Sequence, residues 1–205
     1  MARSDRREHL IDTAISLFLC NGYHATGIDT ILDKAGVSKK TLYHHFRSKD
    51  ELILAALKKY DGIFRNNFMR TVEARSEQPY ERLLAIFDVA GDWFSQNNFY
   101  GCLYINAIGE FSGPDTAIRQ VCMEFKALLC RFIEDLCREL PVAEPLTLAQ
   151  ELALLLEGAI VTAQVSQGKN HSAKIAKAAA TALIAQARTL SLPDADQAVG
   201  NSRSL

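Results

Sequence analysis

Across residues 6–20 the apolar positions Leu10, Ile11, Ala14, Leu17 and Phe18 recur at the i, i+1, i+4, i+7, i+8 spacing that gathers them on one face of a helix. Gly22 ends that run, because glycine enters the left-handed region at little cost. In the following stretch, ATGIDTILDKAG, residues Ile28, Ile31, Leu32 and Ala35 form a second apolar face, Asp29 suits the first turn, and Thr26 is the expected side-chain cap. Gly36 turns the chain and Ser38 caps a third helix, in which Leu42 and Phe46, one turn apart, join Val37 as anchors to the core. That leaves Lys39, Lys40, Tyr43 and His44 facing out. SKDE at residues 48–51 is a capping box that starts a fourth, longer helix through Leu52, Ala55, Ala56, Lys59 and Phe64.

Beyond Pro79 the pattern stays helical over residues 83–94, 117–140, 146–167 and 173–190, broken by SGPD, LPVAEP and QGKNHS. No stretch alternates as a strand does, so the expected class is all-α. Two short helices joined by a glycine turn, the second exposing polar residues, form the helix-turn-helix arrangement that lays a recognition helix in a major groove. The last two helices are apolar on wide faces, and the second is alanine-rich enough for close backbone approach. A chain end has little left to cover such faces, which points to a partner subunit: a homodimer in which both helices meet their symmetry mates as a four-helix bundle. The final segment, PDADQAVGNSRSL, residues 193–205, is expected to be a disordered tail.

Composition adds few constraints. With 205 residues, 48% hydrophobic and 23% charged, the chain can bury one sizeable core and a small satellite. Its net charge of -1 hides an asymmetry: residues 1–60 carry ten Lys/Arg against seven Asp/Glu, or +3, and the remainder thirteen against seventeen, or -4. This basic excess is compatible with nucleic acid and on its own says little. The five cysteines include no C-x-x-C pair and follow no secretory leader, so reduced thiols and a cytoplasmic location are expected. No run approaches the roughly 18 apolar residues of a membrane span. His44 and His45 point about 100° apart on a helix, with no Cys or carboxylate at the spacing a zinc site would use, so no metal is expected. The absence of a nucleophile elbow, P-loop, dinucleotide fingerprint or H-E-x-x-H argues against an enzyme and against a cofactor.

The stretch GYHATGIDTILDKAGVSKKTLYHHFRSKDEL, Gly22 to Leu52, closely resembles the DNA-binding signature of the TetR family of bacterial transcriptional regulators. The likeness lies in the G-Y-x-x-T entry, the A-G-V-S turn, the L-Y-x-H-F end of the recognition helix and the S-K-D-x-L start of the next helix. Lys40 stands where the family commonly has glycine, adding a cation near DNA. The resemblance implies that Thr26 binds phosphate, that Ser38, Lys39, Lys40, Thr41 and His44 approach bases or phosphates, and that Tyr43, His45 and Lys49 hold the backbone. It also implies a helix-turn-helix DNA-binding domain over residues 1–50, a connecting helix over 49–75 and an effector-binding and dimerisation domain over 76–192. The protein would bind a palindromic double-stranded operator as a dimer, repressing until a small effector releases it. A ligand-independent architectural DNA-binding protein is the alternative.

For the effector, Trp93, Phe94, Phe99, Tyr104 and Phe111 can line an apolar cavity, with Asn106 or Glu110 giving polarity, or can be ordinary core. Glu157 and Gln164 are either pocket groups or dimer-interface hydrogen bonders. Cys102 is expected to open a helix, where unpaired amides and the helix dipole favour a thiolate, though no Lys or Arg lies within ten residues of it. Its G-C-L setting resembles a subset of TetR-family regulators that respond to electrophiles or oxidants through such a cysteine.

Overall fold

The computed structural model describes residues 3–111, 113–114 and 116–189, and the expected tail, 193–205, lies outside them. Among the described residues the secondary structure is helical throughout: α1 (Arg3–Asn21), α2 (Ile28–Ala35), α3 (Lys39–His45), α4 (Lys49–Glu73), α5 (Pro79–Phe94), α6 (Leu103–Glu110), α7 (Ala117–Arg138), α8 (Pro145–Val165) and α9 (Ser172–Thr189). The all-α class follows the hydrophobic periodicity.

Local chemistry sets the first four boundaries. Gly22 is left-handed (φ 83°) and its N–H donates to the Phe18 carbonyl, closing α1. Gly36 (φ 63°) closes α2 in the same way. Ser38 accepts from the Thr41 amide at the start of α3. Ser48 accepts from the Glu51 amide, while the Glu51 carboxylate reaches back to the Arg47 amide, one residue beyond the usual reciprocal partner of a capping box. Thr26 departs from expectation. The N-cap of α2 is Gly27, with no side-chain cap, and the Thr26 hydroxyl instead donates back to the Gly22 and Leu17 carbonyls. With Gly27 between it and the helix, Thr26 turns inward and is 1% exposed.

Packing is sequential at first and then returns on itself. The helices α1, α2 and α3 pack together, with α1 also lying on the N-terminal half of α4. Leu10, Phe18, Ile31, Leu42, Phe46 and Leu52 fill the space between them. The long α4 runs on into contact with α5 and α7, and α7, α8 and α9 complete a layered bundle around α5 and α6.

α8 contradicts one expectation, since its 21 residues are long and apolar enough to cross a membrane by length and composition. The sequence reading missed this because Gln150, Glu151 and Glu157 interrupt any purely apolar run while leaving the mean hydropathy high. Leu148, Leu152, Leu156, Ile160 and Ala163 are buried against the bundle, as in a core helix. The opposite face carries Leu146, Leu154, Val161 and Val165, all exposed, and Ile175 of α9 is exposed as well.

Candidate nucleic-acid interface and ligand cavity

α3 is pinned by Leu42 and Phe46, which are 0% and 2% exposed. Fixing those positions leaves Lys39, Lys40, Tyr43 and His44 on the solvent side, with Tyr43 48% exposed. Lys39 makes a loose ion pair with Asp29 (3.7 Å), both side chains being well exposed. Such a pair is weak and readily exchanged for another anion. Ser38 and Thr41 share a hydroxyl–hydroxyl hydrogen bond (2.9 Å). His45 is half-buried, its ring edge-on to His44 at 5.2 Å, and Lys49 is half-buried at the first position of α4. Ser38, Lys39, Lys40, Tyr43 and His44 are thus exposed around α3, while Thr41, His45 and Lys49 are half-buried at its flanks. Thr26, by contrast, has its hydroxyl committed inward. Arg47, exposed between α3 and α4, adds a cation that was not singled out from the sequence.

The reading surface is braced from behind. The Arg7 guanidinium sits over the Phe46 ring at 5.3 Å, and His9 Nε2 is 3.1 Å from the Ala35 carbonyl. Lys59 bridges from α4 to Glu8 (2.9 Å) and Asp12 (2.6 Å) of α1. Its hydrogen bond from Lys59 leads the causes that hold Glu8 below the ordinary glutamate value. Burial works against the charge on Lys59, but the two carboxylates outweigh it and raise its pKa.

A second set of contacts ties this corner to α6. Glu110, the last residue of α6, accepts the Tyr23 amide at Oε1 (2.8 Å) and the His24 amide at Oε2 (2.6 Å), with His24 Nδ1 also 2.9 Å from Oε2. Burial disfavours the ionised carboxylate, yet the two amides and the His24 ring prevail and its pKa is lowered. Phe111 packs on Tyr23 and His24, at 5.6 Å and 4.9 Å between ring centroids. The Tyr23 hydroxyl donates to Leu103 at the other end of α6, and the Tyr104 hydroxyl to Leu57 of α4. α6 is therefore bonded at both ends to the helix-turn-helix unit and, through Tyr104 in its first turn, to α4. Glu110 and Phe111, expected to line the effector pocket, lie at this junction instead.

Between α4 and α5 lies a cavity of about 370 Å³, whose walls include Leu19, Tyr60, Phe64, Asn67, Phe68, Thr71, Trp93, Gln96, Asn98 and Tyr100. Trp93 meets Phe64 at 4.8 Å and Phe99 edge-on at 5.0 Å. Behind the same Phe64, Phe68 and Trp93 is a small void of about 20 Å³ bordered by Cys102, Phe125 and Lys126. Lys126 Nζ is 3.7 Å from Cys102 Sγ and 2.5 Å from Glu157. Of the other residues singled out for a pocket, Phe94 is buried beside Phe99, and Tyr104 is fully buried, stacked on Phe125 at 3.7 Å. Asn106 and Gln164 bond to each other (3.0 Å). Gln164 also crowds Gly101, where an added Cβ would lie 2.1 Å from its Oε1 and where φ is +84°. The pair thereby fixes the turn at the cavity edge. The aromatic stripe Tyr60, Phe64, Phe68 was not singled out from the sequence, although its i, i+4, i+8 spacing puts the three rings on one helix face; Lys126, 24 residues from Cys102, carried no local signal.

A helix-turn-helix unit clamped to a larger helical body defines a DNA-binding regulator. Residues 10–56 match the model of the bacterial regulatory proteins, tetR family. The chain is 50% identical over 60 residues to the HTH-type transcriptional activator FasR of Mycolicibacterium smegmatis, a match covering 29% of this chain and 27% of that protein. It is 28% identical over 172 residues to the HTH-type transcriptional repressor NemR of Escherichia coli, covering 80% and 86% of the two. The reduced form of E. coli NemR superposes with a TM-score of 0.78 at 25% identity over 87% of this chain and 96% of NemR. A TetR-family regulator from Streptomyces coelicolor superposes at 0.82 with 23% identity over 90% and 97%, which concerns the fold alone. The chain belongs to the TetR family and is a transcriptional regulator with a helix-turn-helix DNA-binding domain.

Proposed function

We propose that the protein is a ligand-responsive repressor that binds a palindromic operator as a homodimer and leaves it when a small molecule occupies the larger helical unit. The division into a reading domain (1–50), a connecting helix (49–75) and an effector and dimerisation domain (76–192) is part of this reading. The observation that carries it is the placement of α6, whose N-cap residue Cys102 lines the small void while Leu103 and Glu110 bond the helix to Tyr23 and His24 of the recognition unit. A ligand that displaces α6 must disturb that unit, and DNA affinity then falls by the difference in ligand affinity between the two conformations. Dimerisation is supported by the exposed stripe Leu154, Val161 and Val165 on α8, whose middle carries Gly158, small enough for close approach.

In the complex, Lys39, Lys40 and His44 face base edges or phosphates while Tyr43, His45 and Lys49 hold the backbone. The test is fluorescence anisotropy on a duplex selected by the protein. Lys49→Ala weakens binding to all sequences and flattens the salt dependence, whereas Lys40→Ala and His44→Ala change base preference. Unchanged binding in all three rejects this face.

A second reading, thiol sensing through Cys102, is favoured by one observation: Lys126 supplies an ammonium within hydrogen-bond distance of a sulfur at the N-cap of α6. NemR, the relative crystallised in a reduced form, is a repressor. Mild hypochlorite or quinone treatment then releases DNA from the wild type but not from Cys102→Ser; equal loss in both removes Cys102 from sensing.

A further inference from the structure

We propose that the cavity between α4 and α5 receives an uncharged, flat aromatic molecule bearing a hydrogen-bonding substituent. This rests on the ligand-responsive reading above and names the chemistry of its effector. The volume of about 370 Å³ lies within the usual range for small-molecule sites, roughly 300–1,000 Å³. Tyr60, Phe64 and Trp93 offer ring faces, Tyr60 stacked on Phe64 and Trp93 tilted by 58° against it, an arrangement that takes a planar guest by offset or edge-on contact.

Charge decides the class. Asp92 is the one charged residue among those lining the cavity, and Arg75 already answers it at 2.5 Å. An anionic guest would lie beside a carboxylate with no cation in the wall, and a cationic guest would have to compete with a guanidinium. Either ion would gain no free partner from the wall while giving up hydration where it meets the aromatic rings, which is costly. A neutral guest faces no such loss. The side-chain amides of Asn67, Gln96 and Asn98 make no hydrogen bond to the protein among the described residues, so they can donate to or accept from a hydroxyl or carbonyl. Leu19 belongs to α1, so the guest touches the helix-turn-helix unit directly as well as the turn that leads into α6.

Trp93 is the sole tryptophan of the chain and lines this cavity, and the void behind it, about 20 Å³, is too small for a guest, so saturable quenching by a guest reports this cavity. The experiment titrates the full-length protein at neutral pH with three isosteric probes, none of which alkylates a thiol: para-nitrobenzyl alcohol (neutral), para-nitrobenzoate (anion) and para-nitrobenzylamine (cation). The alcohol is expected to quench Trp93 saturably and to bind about tenfold tighter than either ion. Asn67→Leu, a substitution at a solvent-facing position, should weaken the alcohol by about threefold or more without loss of fold. Equal or tighter binding of either ion overturns the class, and absence of saturable quenching by all three overturns the site. Anisotropy on the selected duplex is read in parallel. A fall in DNA affinity at saturating alcohol supports both inferences; saturable quenching with unchanged DNA affinity upholds the site and rejects the effector-response reading.

Discussion

Glu110 shows how much one side chain can carry. Its two oxygens take the successive amides of Tyr23 and His24, which Gly22, held at φ +83°, presents toward it. An added Cβ on Gly22 would come within 2.8 Å of Glu110 Oε1, so glycine serves both the helix end and this approach. Glu110→Gln keeps the shape and removes the charge, and hydrogen bonds to charged groups contribute about 1.5–3 kcal/mol. The variant is therefore expected to unfold at a lower temperature and to show a smaller loss of DNA affinity on effector binding; unchanged values in calorimetry and anisotropy would remove Glu110 from the coupling. Because its pKa is lowered in the folded protein, the stability it contributes is present above the ordinary glutamate value and is lost as pH falls through the folded value. An acid titration of thermal stability should show a step on that side in the wild type and a smaller one in Glu110→Gln. None of this was legible in the sequence, where Glu110 lies 86 residues from His24 and reads as a plausible pocket group. Lys126 beside Cys102 escaped for the same reason: a tertiary ion pair leaves no periodic trace.

Among the elements, legibility followed the range of the interaction. Ser38 and Ser48 act within three residues, and both caps formed as the local code specifies. Thr26 obeys the same code but lost to a competing partner, the carbonyls of the preceding turn, because its side chain falls on the buried side. Helices with strong apolar stripes were evident, whereas the eight-residue α6 was visible only through Cys102 at its N-cap, since Leu103, Tyr104 and Ala107 give it too little periodicity to stand apart from a loop. Ser48→Ala should cost about 1 kcal/mol of stability, the usual value of an N-cap, measured by denaturant unfolding. Because α4 carries the recognition corner at one end and the cavity wall at the other, the same variant is also expected to weaken DNA binding slightly. A stability unchanged from the wild type would show that the Glu51–Arg47 bond alone holds this turn.

For the whole molecule the account requires two copies. Leu154 is 74% exposed, Val165 83% and Ile175 69%, on the two helices that the sequence already marked as apolar on wide faces. An obligate interface there should bury well over about 2,000 Å² in total. Leu154→Arg substitutes a largely exposed side chain, so the monomer should fold normally. Sedimentation is expected to find the wild type dimeric at micromolar concentration and Leu154→Arg largely monomeric, with DNA affinity falling as the second half-site contact is lost. A monomeric wild type would contradict the interface.

Two recognition helices related by a two-fold axis should read DNA specifically, and selecting duplexes from a random library with the wild-type protein and sequencing those retained checks this. A palindrome is expected, with half-sites about one helical turn apart, roughly 34–36 Å between centres or a multiple of it. Retained duplexes without a common sequence, or with one unpaired half-site, would contradict it.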